Sequence, residues 1–343
     1  MIFNISEKIQ SEIIHHYDSD SGDMIKSTGN SFSIITNNQE INFLIPGQIK
    51  FLMNFRILRR FLRYDKANAV FNWKRDGVVV LYQWKIYFFD LQTKQLNFID
   101  NLKQCRNVLH GGLAVTSHGI YFGEYGHNQK RDPVPIWKSG DDGRNFKIIK
   151  ELTEQNIKHI HGIYADKFSE SLWIVTGDFD GECFVIEVSD QDFLQLKWHG
   201  DGSQKWRPVS LFFMPEKVIW VMDSPIQKAY LQIFDRKDGS ITEGQYFPGP
   251  VWYSKQFESG DAILQTSVEI GDEVKSKDSI IFYSNNLVDW EEVYRFKKDF
   301  LPMPFFKFGV IAFADGKQSK DDFVLFGEAL SFLDGVAIKA SIK

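Results

Sequence analysis

The chain has 343 residues, 43% of them hydrophobic, 25% charged and 15% aromatic, a globular composition with ample material for a large core. Forty Lys and Arg against forty-five Asp and Glu leave a net charge of −5, so there is no overall positive field to gather nucleic acid or an anionic membrane, and any anionic partner must be held locally. Only Cys105 and Cys183 are present, which excludes a disulfide framework and a four-thiolate metal site.

Met1 to Gln10 shows no basic segment followed by an apolar one, so no secretory signal is visible. No apolar run approaches the roughly 18 residues of a membrane-crossing helix. The expectation is a soluble, cytoplasmic protein with no membrane span. From Lys50 to Lys66, Phe51, Leu52, Phe55, Leu58, Phe61 and Leu62 fall at helical spacing and Arg56, Arg59, Arg60 and Arg63 take the other face. This predicts a short amphipathic insert over residues 50–66, docked by its apolar side with a solvated basic face that could steer an acidic sugar.

Beyond it, runs rich in Val, Ile, Phe, Tyr and Trp close on Gly, Asp, Asn or Ser, the pattern of hairpin-linked strands. Asp90, Ser139, Ser189, Asp235 and Ser284 end equivalent strands at steps of 49, 50, 46 and 49 residues. A period of that size predicts an all-β chain, a β-propeller of four-stranded blades. Dividing the length by the step favours seven blades, with six as the alternative. Residues 1–343 are read as a single propeller domain whose N-terminal strand, near Met1 to Ser6, closes the last blade near Gly335 to Ile342.

The segment Ser139-Gly140-Asp141-Asp142-Gly143-Arg144-Asn145-Phe146 resembles an Asp-box, the S-x-D-x-G-x-x-W/F turn of the bacterial-neuraminidase repeats in sialidase-like propellers. Ser284-Asn285-Asn286-Leu287-Val288-Asp289-Trp290 is a shorter copy with Asn286 in place of Asp, and the Ser189 turn keeps little more than Ser and an acid. Physically, the serine and aspartate satisfy donors of a tight turn, the glycine takes positive φ and the aromatic packs between sheets. True sialidases also carry an arginine triad, a Tyr and Glu nucleophile pair and an Asp acid. Phe55-Arg56-Ile57-Leu58 departs from the Arg-Ile-Pro motif, so the resemblance implies the scaffold and not the sialidase chemistry.

In such a scaffold the start of each first strand and the end of each second strand reach one central funnel. His110, His159 or His161, Arg207, Tyr253 and a residue near Phe306 or Lys307 fall at first-strand starts, and Glu124, Asp178, Asp223, Glu269 and Glu328 at second-strand ends. Unlike polar groups at one repeated position predict a lined pocket for a polyhydroxylated ligand. The candidate catalytic residues are Glu124, Tyr125, His161, Asp178 and Tyr253, with Glu124 and Asp178 or Asp223 as a hydrolytic pair, or a histidine and Tyr253 as base and acid of a β-elimination. The candidate substrate-binding residues are His110, His159, Trp206, Arg207, Asp223 and Trp252, where Trp206 offers a stacking face and Arg207 a grip on a carboxylate. His159 and His161 have the period-two spacing of metal ligands but no third ligand is evident, so no metal and no cofactor is assigned. The three acids of Gly177 to Glu182 lack EF-hand spacing and read as a solvated loop. The resulting expectation is a carbohydrate-active enzyme, a glycoside hydrolase or polysaccharide lyase, with an anionic glycan as partner. A non-catalytic propeller that binds a glycan or a protein through the same funnel is the alternative.

Overall fold

The structure is a computed structural model that describes residues 1–47, 54–190 and 193–343. Its described strands form seven four-stranded antiparallel sheets, so the period of about 48 residues resolves into seven units and not six. By internal contacts the chain divides into two compact units, Met1–Ala67 with Pro225–Ala229 and Gln245–Lys343, and Asn68–Ser224 with Tyr230–Gly244.

The first unit holds three sheets. One runs Ile13–Tyr17, Met24–Thr28, Ser31–Thr36 and Gln39–Leu44; another runs Val251–Gln256, Ala262–Thr266, Asp278–Ser284 and Glu291–Lys297. The third takes Val310–Phe313, Phe323–Glu328 and Ala337–Ile342, then adds Phe3–Ile9 at its outer edge, Phe3 opposite Ile342 and Ile9 opposite Ala337. That sheet therefore joins the first strand of the chain to its last.

The helix of this unit, Arg56–Leu62, is inverted relative to expectation. Arg59 and Arg60 are buried while Phe55, Ile57 and Phe61 are exposed. The cause is a set of carboxylates beneath it. Arg56 gives Nη1 to Asp65 at 2.6 Å and Glu12 at 3.1 Å, and Nη2 to Asp334 at 2.8 Å. Arg59 Nε reaches Glu12 at 3.0 Å and Arg60 Nη1 reaches Asp299 at 2.5 Å. Guanidinium groups held by several carboxylates at once recover their desolvation cost in a way an isolated buried charge cannot. These arginines are thus occupied, and they do not form a solvated basic face that steers a sugar. Lys50, Phe51 and Leu52 of the sequence-predicted insert lie outside the described residues.

The second unit holds four sheets, beginning at Asn68–Phe71, Leu113–Thr116, His159–Ala165 and Phe212–Phe213. Second and third strands such as Gly77–Tyr82 are buried along their length and read as continuous apolar runs, whereas fourth strands such as Gln95–Asn101 are exposed or half-buried throughout. The Ser139 turn has the geometry its residue types dictate. Ser139 Oγ accepts from Gly143 N at 2.7 Å and Asp141 Oδ1 from Asn145 N at 2.8 Å, with Gly143 at φ +96°. Phe146 is buried against Phe122, 5.5 Å between ring centres. Asp142 then ties the turn to the hairpin at residues 72–77 by accepting from Trp73 N at 2.8 Å and Lys74 N at 3.0 Å. In the first unit, the Ser284 turn repeats the scheme through Leu287 N to Ser284 Oγ at 2.9 Å and Asp289 N to Asn286 Oδ1 at 2.9 Å.

Candidate functional site

The site is built on the hairpin of His159–Ala165 and Leu172–Gly177. His159 pairs with Gly177 and Ile160 with Thr176, but Gly162 pairs with Val175, which leaves His161 as the extra residue of a β-bulge. A bulge re-aims a side chain and bends its strand. Here it brings the two imidazoles side by side, 5.1 Å between ring centres. Gly177 permits the approach, because a Cβ there would stand 2.9 Å from Arg207 Cγ and 3.3 Å from His161 Cε1.

Both rings have one nitrogen fixed. His159 Nδ1 lies 2.8 Å from the Gly126 carbonyl oxygen and His161 Nδ1 2.8 Å from that of Pro208. A carbonyl can only accept, so each Nδ1 carries a proton that it donates, and each Nε2 is turned to the other side. Asp178, the residue after the hairpin's second strand, stands there. Its Oδ1 is 3.3 Å from His159 Nε2 and 3.5 Å from His161 Nε2. His159 Nε2 is buried and makes no hydrogen bond, the contact with Asp178 being misaligned for one.

The electrostatics follow from burial and charge. Burial pushes the His159 imidazole down to about 4, against the opposing pull of Asp178, so His159 is neutral near pH 7. Burial also works against charge on Asp178, but its contacts with His159 and His161 outweigh it and hold the carboxyl well below the usual carboxylate range. Two cations add to this. Lys158 Nζ is 2.6 Å from Asp178 Oδ2, and Arg207 Nη2 is 3.1 Å from Oδ1. Arg207 gives its other nitrogen to the Asp178 carbonyl at 2.7 Å and also lies 3.2 Å from Asp223 Oδ2. Among the described residues, His159, His161 and Asp178 are the one group of three His, Cys, Asp or Glu able to share an ion, their ligand atoms all within 4.8 Å of one another.

Tyr125 half-covers the cluster, its ring centre 4.1 Å from that of His159 and 5.8 Å from that of His161. Next to Asp178, Phe179 is 53% exposed, with Lys158 Nζ 5.2 Å and the Arg131 guanidinium 5.8 Å from its ring centre. Sequence reasoning passed over Lys158, Arg131 and Phe179. The signal for Lys158 was its place opposite Asp178 in a hairpin whose register pairs His159 with Gly177.

Five of the sequence-predicted residues thus gather here: Tyr125, His159, His161, Asp178 and Arg207, with Asp223 behind Arg207. Others serve packing. Glu124 is fully buried and its oxygens accept from Lys103 N at 2.8 Å, Gln104 N at 2.5 Å and Trp137 Nε1 at 2.8 Å, so it braces a loop and has no open side for a nucleophile. Trp206 is not a stacking platform but core, packed on Trp220 at 5.5 Å. Arg207 is spent on Asp178, Gln204 and Asp223 and has no free fork for a substrate carboxylate. His110 is half-buried just before Leu113–Thr116. Trp252 and Tyr253 belong to the other unit, where Trp252 Nε1 donates to Glu269 at 3.1 Å and Tyr253 sits in the bulge between Val251 and Ser254. Of the acids in Gly177 to Glu182, Glu182 pairs with Arg131 at 2.6 Å.

No protein-family model and no curated protein sequence matches the chain. Solved structures match its fold. The extracellular domain of a one-component system from B. thetaiotaomicron gives a TM-score of 0.59 at 10% identity, covering 100% of this chain and 40% of that one. A set of WD40 repeats gives 0.56 at 7% identity, covering 100% and 98%. The fold is a seven-bladed β-propeller. An oligogalacturonate lyase from Vibrio parahaemolyticus is similar in the same degree, TM-score 0.59 at 7% identity over 97% of this chain and 89% of that one. The chain spans about two fifths of the length of the B. thetaiotaomicron domain. Among the described residues of this propeller, no helix is long and apolar enough to cross a membrane.

Proposed function

We propose that this propeller acts on an anionic sugar at the His159–His161–Asp178 cluster, and that the reaction is elimination beside a sugar carboxylate and not acid-catalysed hydrolysis. The observation that carries the reading is the convergence of two buried imidazole Nε2 atoms on one ionised carboxylate, under the half-exposed Tyr125. Glycoside hydrolysis needs a carboxyl group that keeps its proton near pH 7 and a second carboxylate facing it across the bond. None of the three candidate acids supplies that proton: Glu124 is sealed by three donors, Asp178 is held ionised, and Asp223 faces Arg207. Elimination asks for positive charge to neutralise the substrate carboxylate and so loosen the neighbouring C–H bond, with electron-pair donors at hand. Lys158 and Arg131 flank the exposed Phe179 ring, which suits the apolar face of a sugar bearing an acid group. The similar fold named as an oligogalacturonate lyase is consistent with the reading. The hydrogen bonds of the Ser139 and Ser284 turns support kinship with Asp-box, sialidase-like propellers for the scaffold only.

The test is turnover of short oligouronides followed by near-ultraviolet absorbance of the unsaturated product. The expected result is product formation that falls about 100-fold on removing one member of the cluster, as in His161→Gln. Free reducing ends without that absorbance would replace elimination by hydrolysis. A second reading, a propeller that binds the same sugar without turning it over, is favoured by the depth of the histidines, 2% and 1% exposed. Saturable binding with no product from any uronide would select it.

A further inference from the structure

We infer that His159, His161 and Asp178 form a binding site for one divalent first-row transition cation, ligated by the two Nε2 atoms and an Asp178 oxygen. The inference shares its residues with the proposed elimination and rests on that reading only for what the metal would do, since the metal would hold the substrate carboxylate. The geometry itself is independent.

Histidines that bind metals donate their other ring N–H to a carbonyl or carboxylate, which fixes the tautomer and leaves one lone pair for the ion. His159 and His161 are both in that state, through Gly126 and Pro208. Two donors about 2.1 Å from an ion at a tetrahedral angle stand roughly 3.4 Å apart; the two Nε2–Oδ1 separations are 3.3 and 3.5 Å, and all three ligand atoms lie within 4.8 Å of one another. His159 is 98% buried, and its Nε2 is aimed into this space without a hydrogen bond, a cost that a bound cation removes. Two imidazoles and one carboxylate favour zinc, iron, cobalt, nickel or copper over manganese, calcium or magnesium, which suit oxygen ligands. Three protein ligands leave further positions open, the arrangement of a catalytic and not a structural centre.

The charges around the cluster show what would move. Asp178 and Asp223 are matched by Lys158 and Arg207, so an incoming ion must displace a positive group. Arg207 is pinned by the Asp178 carbonyl, Gln204 and Asp223. Lys158 sits at the rim with 13% of its side chain exposed and holds Oδ2, the carboxylate oxygen away from the histidines. Lys158 is therefore the group that gives way: its loss frees Oδ2 and removes a positive charge that opposes the metal, while Oδ1 keeps its contact with Arg207 at 3.1 Å.

Chelator-stripped protein titrated with Co²⁺ reads the site directly, through visible ligand-field bands and equilibrium dialysis. The expected result is one equivalent bound, displaced by Zn²⁺ and not by equal Mg²⁺ or Ca²⁺. His159→Ala and the bulkier His161→Gln, checked for folding by thermal melting, should weaken uptake by at least the roughly 10–100-fold that loss of a supporting partner costs. Lys158→Met should tighten it. Failure of the wild-type protein to take up one equivalent, or equal uptake by folded His161→Gln, overturns the site. Uptake without turnover of any uronide leaves the metal site standing and removes the elimination; turnover undiminished by chelator does the reverse.

Discussion

Replacing Glu12 by Gln tests the inward-facing arginine helix. The Glu12 side chain is 3% exposed and accepts from Arg59 Nε at 3.0 Å, Arg56 Nη1 at 3.1 Å and Gly29 N at 2.9 Å. The substitution keeps shape and removes charge, so a guanidinium buried to 6% exposure at Arg59 loses the Glu12 carboxylate as a partner. Removing one partner of a buried pair costs about 3–5 kcal/mol. Arg56 keeps Asp65 and Asp334, which places the expected loss near 3 kcal/mol, the lower end of that range. With a urea m-value of roughly 2–3 kcal/mol/M, the midpoint falls by about 1 M. The pairing has a second signature. Glu12→Gln with Arg59→Met removes both charges, and the double variant should be more stable than Glu12→Gln alone. A Glu12→Gln midpoint within experimental scatter of the parent, with no recovery in the double variant, would mean that these arginines face water and that the helix is read the wrong way round.

Acid stability should follow the same cluster. Burial works against charge on Asp334, but its hydrogen bonds and proximity to Arg56 lower the carboxyl overall; the stability it contributes is complete above the unfolded value of about 4 and is lost as pH falls below it. Asp334→Asn should be less stable than the parent at pH 7 and lose less on acidification, by urea melts at both pH values. At the Ser139 turn, Gly143→Ala must place a Cβ 2.5 Å from Val79 Cγ2 at φ +96°, and a loss of about 1–3 kcal/mol in the same assay is expected. Glu124→Gln should lower stability by roughly 1–3 kcal/mol in the urea melt, because one buried acceptor of backbone N–H groups becomes a donor; lost turnover at unchanged stability would instead restore Glu124 as a catalytic group.

The blade count was legible because it depends on a period, and a step near 48 residues survives the loss of any one motif. The turn residues were legible for a similar reason: Ser139, Asp141 and Gly143 act within a few bonds of the backbone they satisfy. The helix misled because its apolar and basic faces are symmetrical evidence until partners are known. Glu12, Asp299 and Asp334 are far away in the chain, and nothing local announces that they lie beneath Arg56, Arg59 and Arg60. The histidine pair was visible as a period-two spacing, yet it meets through a bulge at His161 that the sequence does not mark. Asp178 is a strand end in the sequence, and the register of its own hairpin, which sets it beside His159, is what suggests it as a third ligand. Glu124 and Trp206 were over-read, since a polar or aromatic residue at a repeated position says where a side chain starts and not what it meets.

A crystal of the protein soaked with Co²⁺ and a short oligouronide tests the central claim most directly. The account predicts an anomalous peak between His159 Nε2, His161 Nε2 and Asp178, with a sugar carboxylate beside it and a ring over Tyr125 or Phe179. A sugar seated on other residues, with the imidazoles still facing a bare Asp178, would contradict it.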